Sequence, residues 1–176
     1  MAYAVKYLFK FQSSNGTVRE IRVLKDSYTG AVIQRPLGRA PVIKKEQNGG
    51  VHGTSLTFYA ECHVDREFIE FYTSDPKEYR VDVYAGSTLL WQGYITPELY
   101  SEPDIAPPYD VQVVATDGVG ELKLYDFAPQ GTVTLRSLFS YLLGYTGLST
   151  EVNLVSSLKP GSHGAGALLD MQICVD

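Results

Sequence analysis

Apolar and polar residues alternate with a period of two along most of the N-terminal two-thirds of the chain, the signature of half-buried strands. Tyr79, Val81, Val83 and Ala85 alternate with Arg80, Asp82 and Tyr84. Gly86-Ser87 then supplies a two-residue hairpin turn with glycine first, and Leu89, Trp91, Gly93 and Ile95 line one face of the return strand. A third strand carries Tyr109, Val111, Val113 and Ala115 on one face and ends at the turn Thr116-Asp117-Gly118. The connection from Thr96 to Pro108 contains prolines 97, 103, 107 and 108. Prolines restrict the unfolded chain, so such a segment costs less to fix than an ordinary loop.

The same alternation predicts the elements upstream. Ala2 to Phe11 reads as a strand with Tyr3, Val5, Tyr7, Phe9 and Phe11 on one face and Lys6 and Lys10 on the other. Ser13-Ser14-Asn15-Gly16 is a hairpin turn, and Thr17 to Leu24 returns with Arg19, Glu20 and Arg22 on a wet face or sheet edge. Residues 26 to 40 read as irregular, Pro41 to Lys45 as a short strand, and Gln47 to Gly53 as a glycine-rich loop holding His52. From Leu56 to Val64, residues Leu56, Phe58, Ala60, Cys62 and Val64 face one way, against Thr57, Tyr59, Glu61 and His63. Glu67 to Tyr72 is a short apolar strand or a single helical turn, and Ser74-Asp75-Pro76 is a turn.

After Leu124 the period changes. Leu135, Leu138, Phe139, Leu142 and Leu143 recur at helical spacing, with Thr134 as N-cap and Gly144 or Gly147 as the stop. This helix is expected to pack on the sheet or on a following domain. Residues 159–166 read as a loop and 167–175 as a further strand. The fold class expected is mainly β with minor α: an antiparallel sandwich or partly closed barrel at residues 1–124 with one packed helix. Residues 125–176 would hold that helix and the start of a second α/β or α+β region.

Composition narrows the function classes. The chain has 176 residues, 44% hydrophobic and 20% charged, with thirteen Tyr and seven Phe, a folded and strand-favouring make-up. No apolar run is long enough to span a membrane, and the N-terminus is too charged for a signal peptide, so synthesis in the cytoplasm is expected. A net charge of −5 disfavours a protein that grips nucleic-acid phosphates.

No motif for catalysis emerges. His52, His63 and His163 are not spaced as metal ligands. Cys62 and His63 are strand neighbours on opposite faces, so a core cysteine beside a surface histidine is expected, and Cys174 also sits in an apolar context. Gly49-Gly50 and Gly118-x-Gly120 lack the Lys-Ser/Thr of a phosphate loop. Glu98, Glu102 and Asp104 beside Tyr100 and Trp91 could frame a glycan cleft; the plainer reading is a solvated or interfacial arm whose charges fix register between subunits. Arg35, Arg39, Lys44 and Lys45 line a polar face or meet an acidic neighbour.

One stretch resembles a known family. The order is Leu90-Trp91-Gln92-Gly93-Tyr94-Ile95, then Pro97-Glu98-Leu99-Tyr100-Ser101-Glu102-Pro103, Pro107-Pro108-Tyr109, Ala115-Thr116-Asp117-Gly118 and Leu122-Lys123. It is similar to the N-terminal part of phage tail hub (baseplate hub or tail tip) proteins of Bacteroides-type prophages. Asp26-Ser27-Tyr28-Thr29-Gly30 and Pro41 to Lys45 resemble further steps of that pattern.

The resemblance implies a tail-tube-like β domain without catalysis, cofactor or metal. It implies a homo-oligomeric, trimeric ring in the virion tail that joins the tube to spike, tip or fibre proteins, with DNA passing through unbound and no membrane insertion. The family continues further, so the chain is expected to be an N-terminal piece of a longer hub; a naturally short protein is the rival. Trp91, Tyr94, Pro97, Tyr100, Glu102, Pro107, Pro108 and Tyr109 are the interface residues expected on this basis, chiefly on an arm from Pro97 to Tyr109 projecting from the scaffold, with a simple core role as the equal alternative for Trp91. Removing Tyr100 and Glu102 together would then weaken assembly and leave the subunit folded. The other reading is a secreted or surface β-sandwich module that binds carbohydrate or peptide through Tyr and Trp.

Overall fold

The computed structural model describes residues 2–48, 51–119, 122 and 135–148. The Thr134 cap, the boundary at 124, the Gly49-Gly50 and Gly120 positions, Lys123, His163, Cys174 and the expected strand at 167–175 lie outside the described residues.

The protein is mainly β. Its elements are β1 (Tyr3–Gln12), β2 (Val18–Asp26), β3 (Ile33–Arg35), β4 (Leu37–Asn48), β5 (Val51–Cys62), β6 (Tyr79–Ala85), β7 (Thr88–Ile95), β8 (Tyr109–Thr116) and helix α1 (Leu135–Gly144). The strands form one sheet in the order β3-β1-β2-β6-β7-β8-β5-β4. All pairs are antiparallel except β1 with β3.

The sheet is rolled without closing into a barrel. Phe9 of β1 meets Phe58 of β5 with ring centroids 5.3 Å apart, although these strands lie near opposite ends of the order. The two edge strands, β3 and β4, are consecutive in the chain with only Pro36 between them. One core therefore fills the concave side. Phe9, Ile21, Val23, Phe58, Val81 and Val111 are fully buried there. Burying each such side chain stabilises by about 1.5–3 kcal/mol. A single 3₁₀ turn, Ile69–Phe71, inserts Phe68 and Phe71 into the same core, where they stack at 5.6 Å.

Four strand expectations are corrected. In β1, Val5 pairs with Leu24 and Tyr7 with Val23, so Lys6 is an extra residue in the ladder. Such a bulge shifts the side-chain phase. Tyr7 and Phe9 face the core, but Tyr3 lies on the convex face against Arg80 and Tyr94. The irregular stretch is shorter than expected, because β3 and β4 occupy most of residues 33–48. His52 belongs to strand β5, opposite Gln47, rather than to a loop. Val64, expected on the buried face, lies past the end of β5 and is exposed.

The end of α1 packs on the convex face of the sheet. Lys77 Nζ donates to the Tyr145 carbonyl at 2.6 Å, and Thr146 and Leu148 lie near Gly118. Gly147 sits under the Tyr94 hydroxyl with φ +71°; a Cβ there would come within 2.9 Å of that oxygen. Close approach and left-handed backbone together call for glycine.

Candidate interaction surface

The proline-rich segment does not project. Thr96 N–H donates to the Val114 carbonyl at 2.9 Å, and Pro97–Leu99 forms a 3₁₀ turn with proline at its start. Ser101 then bridges to Gln112 of β8, so the segment runs back along its own sheet. Tyr100 packs against the core. Glu102 accepts from the Tyr100 hydroxyl at 3.0 Å and from the Tyr109 hydroxyl. Cys62 is buried below, its thiol 2.8 Å from the Val64 carbonyl and 3.9 Å from Glu102. Burial, and then the hydrogen bond to Glu102, push the Tyr100 hydroxyl well above the ordinary tyrosine range. The hydrogen bond to Glu102, and then burial, do the same to Tyr109.

The expected interface residues are thus mostly engaged within the subunit. Trp91, Tyr94, Pro97 and Tyr109 are buried, and Tyr100, Glu102 and Pro107 are half-buried. Pro108 alone among them is exposed. Trp91 serves as a clamp. Its indole N–H donates to Thr54 Oγ1 at 2.9 Å, and Thr54 donates from its hydroxyl and its N–H to Asp117 Oδ2 at 2.8 and 2.6 Å. These bonds join β5, β7 and the turn after β8.

A second polar cluster lies at the 3₁₀ turn of residues 69–71. Glu70 accepts from Lys6 at 2.5 Å and from the Tyr7 and Tyr79 hydroxyls at 2.7 Å each. Burial pushes its carboxyl up, but the bonds from Lys6, Tyr79 and Tyr7 together outweigh this, leaving it below the usual range. Burial, and then the Glu70 carboxylate, raise both tyrosines well above theirs. Every hydrogen bond in this cluster closes on the chain itself.

The convex face carries a third internally bonded carboxylate, although Asp26 Oδ1, beside Tyr3, is buried without a hydrogen-bond partner among the described residues. Asp82 is only 2% exposed, yet it accepts both arms of the Arg80 guanidinium at 3.1 Å and the Gln92 amide at 2.8 Å. An open hollow of about 510 Å³ between this face and the end of α1 is lined by Tyr3, Lys77, Arg80, Tyr94 and Tyr145. Among the described residues, no group of three or more His, Cys, Asp or Glu side chains could hold a metal ion. No described helix is long and apolar enough to cross a membrane. Cys62 is buried, whereas His63 is exposed and 3.7 Å from Glu61.

What remains open lies elsewhere. Among the described residues, β4 is an edge strand, paired only with β5. Its first half is irregular, with register shifts on both sides of Arg39 and Pro41 in the strand. From Val42 onward it pairs residue for residue, and Val42, Ile43, Lys44 and Lys45 are all exposed. In the proline-rich segment, Glu98, Leu99, Asp104 and Ile105 are exposed. Sequence reasoning placed Glu98 and Asp104 on a solvated or interfacial arm and Lys44 and Lys45 on a polar face or against an acid, but it missed the exposed Val42 and Ile43, although one signal was present: Val42-Ile43-Lys44-Lys45 does not alternate, so no single face of it can be buried.

Comparison with known proteins finds no family model that matches the chain, no matching curated protein and no matching solved structure.

Proposed function

We propose that this protein is a structural subunit, a hub at the distal end of a phage or prophage-derived tail tube that joins the tube to tip or spike proteins. The observation that carries this reading is the contrast between satisfied polar clusters and open apolar strips. Of the residues that could have framed a glycan cleft, Tyr100 and Glu102 bond to each other and Trp91 bonds to Thr54, while Glu98 and Asp104 stand apart in solvent. The large apolar residues left in solvent include Val42 and Ile43 on an open sheet edge and Leu99 and Ile105 on the proline-rich segment. Exposed apolar residues among charges suit docking between subunits. The resemblance of residues 90–123 to hub proteins gives the assembly its kind: a trimeric ring around a channel.

The contact surface in this reading is the exposed strip of the proline-rich segment and the β4 edge, not the tyrosines beneath. Sedimentation and electron micrographs of the purified chain test it, with ring-shaped trimers expected. A chain that stays monomeric across its soluble concentration range overturns it.

The convex-face hollow favours a second reading, a module that holds carbohydrate or peptide against Tyr3, Tyr94 and Tyr145. A glycan or peptide array with specific hits that are lost in Tyr3→Ala, with the melt unchanged, would favour that module over the hub.

A further inference from the structure

We propose that the β4 edge of one copy docks on the proline-rich strip of a second copy, with Lys44 and Lys45 meeting Glu98 and Asp104. This deepens the hub reading and rests on it for the partner, a second copy of this chain. Four basic residues flank the start and middle of β4, and they divide cleanly. Arg35 pairs with Glu67 at 2.5 Å, and Arg39 pairs with Asp110 at 3.4 Å and covers the Tyr59 ring. Lys44 and Lys45 are exposed and, among the described residues, make no ion pair. The acids divide the same way. Glu102 is bound by two tyrosines, whereas Glu98 and Asp104 are exposed with no described ion-pair partner.

Each free charge pair has an apolar pair beside it. Val42 and Ile43 are 49% and 41% exposed next to the lysines. Leu99 and Ile105 are 52% and 60% exposed next to the acids. Strand alternation sets Val42 with Lys44 on one side of the β4 edge and Ile43 with Lys45 on the other, so each side offers one cation beside one aliphatic, matched in kind by the anions and aliphatics of the strip.

Pairing β4 with β4 in a register centred on Lys44 and Lys45 would bring lysines against lysines, which is unfavourable. Strand addition by the proline-rich segment is blocked as well, since prolines 97, 103, 107 and 108 have no N–H to donate. Side-chain docking of basic edge on acidic strip satisfies both constraints. Such a contact uses different patches on the two copies, so it repeats until it closes or runs on as a chain.

Charge reversal tests the docking. Lys44→Glu with Lys45→Glu, and separately Glu98→Lys with Asp104→Lys, are expected to weaken self-association in sedimentation by more than about tenfold, since like charges then face each other. All four reversals in one chain restore the match, and association is expected to return. All substituted side chains are exposed, so the melts are expected to stay at the wild-type temperature. Should either reversal lower the melt, Lys44→Gln with Lys45→Gln replaces it and is expected to weaken association by a smaller factor.

Three results separate this docking from the hub reading. Wild-type rings that both reversals leave intact overturn the docking and leave the hub standing. Charge-dependent association into dimers or open chains, without rings, supports the docking and removes the hub. A wild-type chain that never associates removes both.

Discussion

Two regions of this molecule are built from the same residue types and end in opposite states. Around the 3₁₀ turn of residues 69–71, Glu70, Lys6, Lys25, Tyr7 and Tyr79 meet above Phe68 and Phe71, and each charge has a partner. At the β4 edge and the proline-rich strip, lysines, acids and aliphatics stand in solvent without ion-pair partners among the described residues. Buried polar groups must be satisfied internally or the fold loses stability, whereas exposed ones cost nothing to leave open. The first region therefore reports what the subunit needs to fold. The second reports what it leaves available for contact.

Substitutions should separate the two regions by which measurement they move. The largest effect is expected in the core both regions share: Phe58→Ala, which removes the ring packed on Phe9, should cost about 3–5 kcal/mol in chemical denaturation. Glu70→Gln comes next, at about 1.5–3 kcal/mol near pH 7, because it takes the charge from a carboxylate bonded by Lys6, Tyr7 and Tyr79. The sign with pH follows from the lowered Glu70 carboxyl. Its stabilisation is present above the unfolded value of about 4.3 and is lost as pH falls, so wild type and variant should converge in acid. Tyr7 and Tyr79 are raised instead, so their contribution holds up to about pH 10 and is lost above it.

Gly147→Ala should cost about 1–2 kcal/mol, from the left-handed backbone and the crowded Tyr94 hydroxyl, and should loosen α1 from the sheet in hydrogen exchange. Smallest for stability is Ile43→Ser, within about 0.5 kcal/mol, yet it should weaken self-association. Removing Tyr100 and Glu102 together is the sharpest probe of the boundary. A projecting arm would lose assembly alone, whereas the arm folded on its own sheet should also lose thermal stability. An unchanged melt in that variant would break the comparison.

Sequence made the local parts legible and hid the long-range ones. The β6–β7 hairpin follows from alternation along β6 and a glycine at φ +61°, although a register shift between Val83 and Tyr84 pairs Leu89 with Tyr84 and takes it off the face it was expected to share with Trp91; Tyr109, Val111, Val113 and Ala115 are buried as their spacing expects. Helix α1 follows from the spacing of its leucines. The bulge at Lys6 was hidden, because its side chain answers to Glu70, far away in the chain. The direction of the proline-rich segment was hidden for a similar reason. Prolines set how stiff a segment is, but its course was decided by Gln112, Tyr109 and Cys62 on strands that it meets only after folding. For the surface, the absence of alternation at residues 42–45 was visible, but that Lys44 and Lys45 have no ion-pair partner among the described residues needed coordinates.

The joint at Pro36 has a mechanical consequence. Because β3 is laddered to β1 and β4 to β5, this one residue acts as a buckle between the two rims of the roll. A chain cut there would keep every ladder and lose only the strap. Whether Phe9 and Phe58 then stay in contact would show if the curl is held by its filling or by its fastening.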